Sequence, residues 1–178
     1  CQYHIGLLAY ERLGDYSLAE KEFKRLFENF QRFPIVAAGM VKLGELYIAQ
    51  DKTPDAERIF GETVRLYSST NQKEADKAAF LLAELEYYRG AIDSAQEHYA
   101  LLAARTDADA SNDALERITL IEQNKTSLDT LRKFAAAEFK ERQKKYDEAI
   151  AQYQKVIEIA PESDLAEQSL LRCAQINF

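Results

Sequence analysis

The chain has two histidines, His4 and His98, and two cysteines, Cys1 and Cys173. A structural or catalytic metal centre needs three or four such ligands gathered by short spacings, and neither H-E-x-x-H nor a paired-Cys motif occurs. Cys173 lies in the apolar stripe of "SDLAEQSLLRCAQINF", a setting in which a thiol packs rather than attacks. Gly-rich phosphate loops, the nucleophile elbow and kinase signatures do not occur. Carboxylates are abundant, but acid–base chemistry requires a pair with one member desolvated in a cleft, and no pair is marked out for that role. These residues imply no metal, no cofactor and no enzyme activity in this segment.

Composition narrows the classes further. At 178 residues the chain is about one domain on a prior of roughly 150 residues per domain, so one cooperative unit is expected. Hydrophobic residues make up 47% and charged residues 30%, which fits a folded chain rather than a disordered one. A net charge of -7 argues against nucleic-acid or anionic-membrane binding, both of which need clustered Lys and Arg, and leaves basic or neutral partners easier to accommodate. No apolar run approaches the roughly 20 residues needed to cross a bilayer, so this segment is not expected to insert into a membrane. The chain begins at Cys1 without a Met and enters an apolar pattern at once, as a piece of a longer protein would. Cys1 is a lipid acceptor if a signal once preceded it, although Gln2 and Tyr3 run straight into a helix rather than a tether. In an elongated helical array Cys1 and Cys173 lie too far apart to bridge.

With only 6 Gly and 3 Pro, the elements that position these side chains read as helices. An Ala followed four residues later by an aromatic recurs as Ala19 with Phe23, Ala56 with Phe60, Ala95 with Tyr99 and Ala149 with Tyr153; the alanines are 37, 39 and 54 residues apart. Each pair closes a similar stretch: "GDYSLAEKEF", "DKTPDAERIF", "GAIDSAQEHY" and "KKYDEAIAQY". Upstream, Leu43, Gly44 and Tyr47 fit a first helix, and Gly44 and Ala56 let two backbones approach while Tyr47 and Phe60 fill the space beside them. Thr53 is a candidate cap with Pro54 at the first helical position. Tyr10, Phe23, Phe27, Tyr47, Phe60, Tyr99 and Tyr153 read as core.

This grammar resembles the tetratricopeptide repeat family, whose L-G-x-x-Y, A-x-x-x-F/Y and closing Pro elements recur at about 34 residues. "LGELY" matches in the second repeat and Pro161 of "VIEIAP" closes the fourth. The resemblance implies an all-α, right-handed alpha-alpha superhelix of about ten helices over residues 1–178. The repeats are expected at about 1–34, 35–70, 71–110 and 126–161, with the first helix of a further repeat at 163–178. The long gap holds an extra helix, "SNDALERITLIEQN" at 111–124, capped by Ser111 or Asn112 and buried through Leu115, Ile118, Leu120 and Ile121. The lengthened repeats are similar to bacterial cell-envelope members, including outer-membrane assembly lipoproteins, and the C-terminal half resembles a segment of long tetratricopeptide proteins of Bacteroidetes and Chlorobi type. The compartment stays open.

The resemblance implies protein interaction in a concave groove lined by each first helix. In register, the residue after the small position is Glu45, Glu84 and Glu138, a ladder of carboxylates expected to favour a basic peptide or protein segment, with Tyr87 and Tyr88 giving apolar contact. The competing reading is that Glu is common on solvated helix faces. The chaperone-cofactor subclass, which grips acidic tails, is disfavoured because the groove positions hold His4, Leu8, Val41, Lys42, Lys77 and Leu81, of which Lys77 alone matches. An alternative function is a structural spacer or self-association module, with Leu170, Leu171, Cys173 and Ile176 forming an unpaired apolar face on the last helix.

Overall fold

The computed structural model describes residues 2–30, 33–105 and 109–177. Among them are ten α-helices: α1 (Gln2–Leu8), α2 (Tyr16–Phe30), α3 (Ile35–Ala49), α4 (Thr53–Tyr67), α5 (Gln72–Tyr88), α6 (Ile92–Ala103), α7 (Asp109–Gln123), α8 (Leu128–Arg142), α9 (Tyr146–Ile159) and α10 (Asp164–Asn177). A π-helical turn, Ala9–Leu13, extends α1, and a single 3-10 turn, Lys125–Ser127, joins α7 to α8. The described residues are thus all-α, in the number of helices expected. Cys1 lies outside them, so neither its lipidation nor its distance from Cys173 is described.

The chain forms two compact units. The first takes α1 to α4 and α5 as far as Leu82; the second takes the rest of α5 from Ala83, α6, α7 from Ser111, and α8 to α10. In the first unit α1 packs on α2, α2 on α3 and α3 on α4; in the second α8 packs on α9 and α9 on α10. Each of these helices thus buries its apolar side mainly on its chain neighbours, the economy of a repeat array. The third helix, "IVAAGMVKLGELYIA", has ten buried residues of fifteen because it packs on both α2 and α4.

The small-to-aromatic register sets the spacing inside the first two hairpins. A Cβ built on Gly44 would stand 2.2 Å from the Phe60 ring, and one on Gly6 would stand 2.8 Å from the Phe23 ring. Neither side chain larger than hydrogen fits without moving the ring. Phe23, Phe60, Tyr99 and Tyr153 are all buried, as are Tyr10 and Tyr47, while Phe27 is half-buried.

The turns between hairpin helices follow the same period. Gly14, Asp51, Gly90 and Lys144 all adopt left-handed backbone, with φ of 64°, 60°, 79° and 60°. After each of the last three, a backbone N–H reaches back five residues: Lys52 to Tyr47, Ala91 to Glu86 and Lys145 to Lys140. That is the Schellman closure of a helix end. In the first hairpin Asp15 N–H reaches six residues back to Ala9, and the extra residue is absorbed by the π-helical turn.

Two local expectations need correction. Thr53 is not the cap of α4: it is already helical, Lys52 holds the cap position, and no side chain bonds there. The seventh helix starts at Asp109, so Ser111 and Asn112 lie inside it; Ser111 Oγ donates to the Ala103 carbonyl instead of capping. Its buried side is also rotated from the expected one. Ala114 and Ile121 are buried and Ile118 and Leu120 half-buried, but Leu115 is 49% exposed.

Candidate functional site

Arg117 sits between Ala114 and Ile121 on the buried stripe of α7, where a long cationic chain requires compensating charge. Compensation comes from two expected groove residues. Nε and Nη2 of Arg117 donate to Oε1 and Oε2 of Glu84 at 2.7 and 2.8 Å, and Nη1 lies 3.0 Å from both oxygens of Glu138. The guanidinium also lies over the Tyr87 ring, 4.7 Å from its centroid. A planar fork of donors matches two carboxylates in a way a lysine could not.

Tyrosines complete the cluster. Tyr88 Oη and Tyr99 Oη donate to Glu84 at 2.7 and 2.5 Å, and the Tyr88 ring stacks on Phe139 of α8 at 5.3 Å. Burial alone would push the Glu84 carboxyl up, but Arg117, Tyr99 and Tyr88 together hold it below the ordinary carboxylate range. Burial pushes Glu138 up; Arg117 and the Tyr87 hydroxyl oppose that, Glu84 adds to it, and the net direction is upward. Burial works against the charge of Arg117, yet Glu138 and Glu84 hold it protonated well above its ordinary range. Burial likewise keeps the hydroxyls of Tyr87, Tyr88 and Tyr99 neutral.

Glu84, Glu138 and Tyr87 are buried and Tyr88 is half-buried, so these four do not stand as a row of open charges and rings. The physical reason is Arg117: a helix outside the repeat register brings a counter-ion that the register could not reveal.

Glu45 is in the first unit and has a different setting. Its carboxylate takes Lys42 Nζ at 2.9 Å and lies 3.8 Å from Lys77 Nζ, while Lys42 also reaches Glu11 at 3.3 Å. The charges alternate from the turn after α1, through α3, to α5. Burial disfavours the Lys42 ammonium, but Glu45 and Glu11 raise it above its ordinary range. Of the other groove positions, His4 and Leu8 are exposed, Lys77 is 47% exposed at its side chain, and Val41 and Leu81 are buried.

Among the described residues no group of three or more His, Cys, Asp or Glu is placed to hold a metal ion, and no helix is long and apolar enough to cross a membrane. Cys173 is partly buried with a free thiol, and burial raises it above its ordinary range, with Glu141 adding to the effect. A thiol so placed is poorly nucleophilic.

Helical hairpins with a repeating small-to-aromatic contact and a repeating left-handed turn define a helical-repeat protein. Residues 133–163, from within α8 through α9 to the turn before α10, match the family model of the tetratricopeptide repeat. Such repeats generally mediate protein–protein interactions and as a family are non-catalytic scaffolds. Among curated proteins none matches the chain.

Proposed function

We propose that this chain is a non-catalytic interaction scaffold that binds a peptide or protein segment on the face carrying Glu11, Lys42, Glu45 and Lys77. The observation that carries the reading is the arrangement of Glu45, which lies 2.9 Å from Lys42 and 3.8 Å from a half-exposed Lys77 in a row of alternating charges. An incoming lysine or arginine substitutes for Lys77 there without leaving a buried charge unpaired, and Tyr3, His4 and Leu8 on α1 supply neighbouring contact area. A pre-formed face of helices binds with little ordering cost. Glu84 and Glu138 act in this reading from inside the second unit, as supports of the scaffold.

Charge reversal at all three glutamates is a poor test, since lysine at 84 or 138 faces Arg117. The informative variant is Glu45→Ala, compared with the natural chain against a displayed library of short peptides and checked for unchanged helicity. Selection of Lys- or Arg-containing peptides whose affinity falls tenfold or more in Glu45→Ala is expected. Equal binding by both proteins, or no selected peptide, overturns the reading.

A second reading, a spacer that associates with itself, draws on Leu170 and Leu171 of α10, which are 58% and 59% exposed side by side. Sedimentation separates the two readings. Concentration-dependent association that disappears in Leu170→Gln with Leu171→Gln supports self-association, and a monomer at all concentrations counts against it.

A further inference from the structure

The buried cluster of Arg117, Glu84 and Glu138 holds one more carboxylate than cation, and its two carboxylates are served unequally. Each oxygen of Glu84 has two donors: Oε1 takes Arg117 Nε and Tyr99 Oη, and Oε2 takes Arg117 Nη2 and Tyr88 Oη. Both oxygens of Glu138 turn to one nitrogen, Arg117 Nη1. The buried Tyr87 hydroxyl is close enough to Glu138 to favour its charged form, although it completes no hydrogen bond of good geometry. The surplus negative charge therefore rests on Glu138, the carboxylate with the fewest donors and little access to water.

We propose that Glu138 is a proton-operated latch of the second unit, holding α7 against α5 and α8 more firmly with a proton bound than without. The groups that face it from each neighbouring helix leave the proton as the natural countercharge. From α5 come Glu84, Tyr87 and Tyr88; from α6, Tyr99, whose hydroxyl goes to Glu84; from α7, Arg117; from α9, Tyr153; and on α8 itself, Glu141 and Arg142 lie one turn on. The four tyrosines are kept neutral by burial, Tyr153 with added help from its hydrogen bond to Glu141. Glu84 takes up both Arg117 Nε and Nη2. Arg142, with an exposed side chain, acts on the Tyr88 hydroxyl from outside the cluster.

Burial and Glu84 raise Glu138 against the pull of Arg117 and the Tyr87 hydroxyl. A carboxyl that binds its proton more tightly when folded than when unfolded adds stability that is full below the ordinary glutamate range and is lost as pH rises through the raised value. Glu84 is displaced downward, so its contribution is present above the ordinary range and is lost as pH falls through the lowered value. The two effects lie on opposite sides of the ordinary value of about 4.3 and can be told apart.

The test is a carbon-detected NMR titration of the side-chain carboxyls of the whole chain. Glu138 is assigned by through-bond correlation and confirmed by the signal missing in Glu138→Gln. Its midpoint is expected above the ordinary glutamate value, with that of Glu84 below it. Alongside, urea midpoints of the natural chain and Glu138→Gln are expected to diverge as pH rises from 5 to 8, with the natural chain losing stability relative to the variant. A Glu138 midpoint at or below the ordinary value overturns the proposal, as does a parallel pH dependence of the two proteins. Should Glu138→Gln fail to fold, the titration of the natural chain decides alone.

Discussion

Arg117 on α7 closes a two-pronged contact on Glu84 of α5, with Nε and Nη2 at 2.7 and 2.8 Å from the two carboxylate oxygens. The remaining nitrogen, Nη1, turns to Glu138 of α8. One side chain from a helix that breaks the repeat period thus ties together two helices that obey it. The same two glutamates, read in register as a binding ladder, are internal fasteners of the second unit.

Removing the cation should be far more damaging than removing the whole cluster. Arg117→Met leaves two carboxylates buried against each other and is expected to cost about 3–5 kcal/mol. Adding Glu84→Gln and Glu138→Gln to Arg117→Met should recover a large part of that loss, because no charge then remains to be compensated. Urea denaturation followed by circular dichroism measures both; an Arg117→Met chain within experimental error of the natural one would show that the triad contributes nothing.

Tyr99 differs from its repeat counterparts Phe23 and Phe60 by a hydroxyl, and that hydroxyl serves Glu84. Tyr99→Phe keeps the ring and deletes one donor to a buried carboxylate, an expected loss of about 1.5–3 kcal/mol for a charged hydrogen bond. The Glu84 carboxyl should also titrate at higher pH in the variant. A loss confined to a few tenths of a kcal/mol would mean that Arg117 and Tyr88 satisfy Glu84 without it.

Gly44 and Gly61 offer a paired test within one hairpin. A Cβ at 44 meets the Phe60 ring at 2.2 Å, whereas one at 61 meets nothing within 4 Å. Gly44→Ala is expected to destabilise by about 1–3 kcal/mol through overpacking. Gly61→Ala, in the interior of α4, is expected to stabilise by about 0.5–1 kcal/mol through helix propensity. Thermal unfolding midpoints moving in opposite directions would bear this out, and equal shifts would remove the close-packing argument.

The repeat framework was legible because it is written in single positions at a fixed period. Gly44 with Phe60 states a helix contact in residue size alone, and Ala95 with Tyr99 repeats the spacing of Ala56 with Phe60 along one helix, so the number of helices and the buried aromatics follow. The setting of Glu84 and Glu138 was not legible from that register, since their burial depends on α7, which has no counterpart in the other repeats. Two signals were present nonetheless. Arg117 falls three residues after Ala114 and four before Ile121, on the stripe that a helix buries. Tyrosine replaces phenylalanine at 99 and 153, and a hydroxyl in a core position asks for an acceptor, which Glu84 and Glu141 supply. The cap of α4 was misplaced by one residue because Pro54 tolerates either of the first two helical positions.

The four left-handed turns make the last test. Glycine fills two of these positions, Gly14 and Gly90, while Asp51 and Lys144 hold the same backbone with a Cβ. Left-handed backbone costs a residue with a Cβ on the order of 1 kcal/mol relative to glycine. Lys144 is exposed, so Lys144→Gly should relieve that strain with little loss of packing and stabilise by about 1 kcal/mol. Gly90→Ala should cost a similar amount, since the turn must keep its φ for Ala91 N–H to reach the Glu86 carbonyl. Thermal unfolding of the two variants beside the natural chain measures both. A destabilised Lys144→Gly would mean that the contacts of the Lys144 side chain outweigh the strain in its backbone.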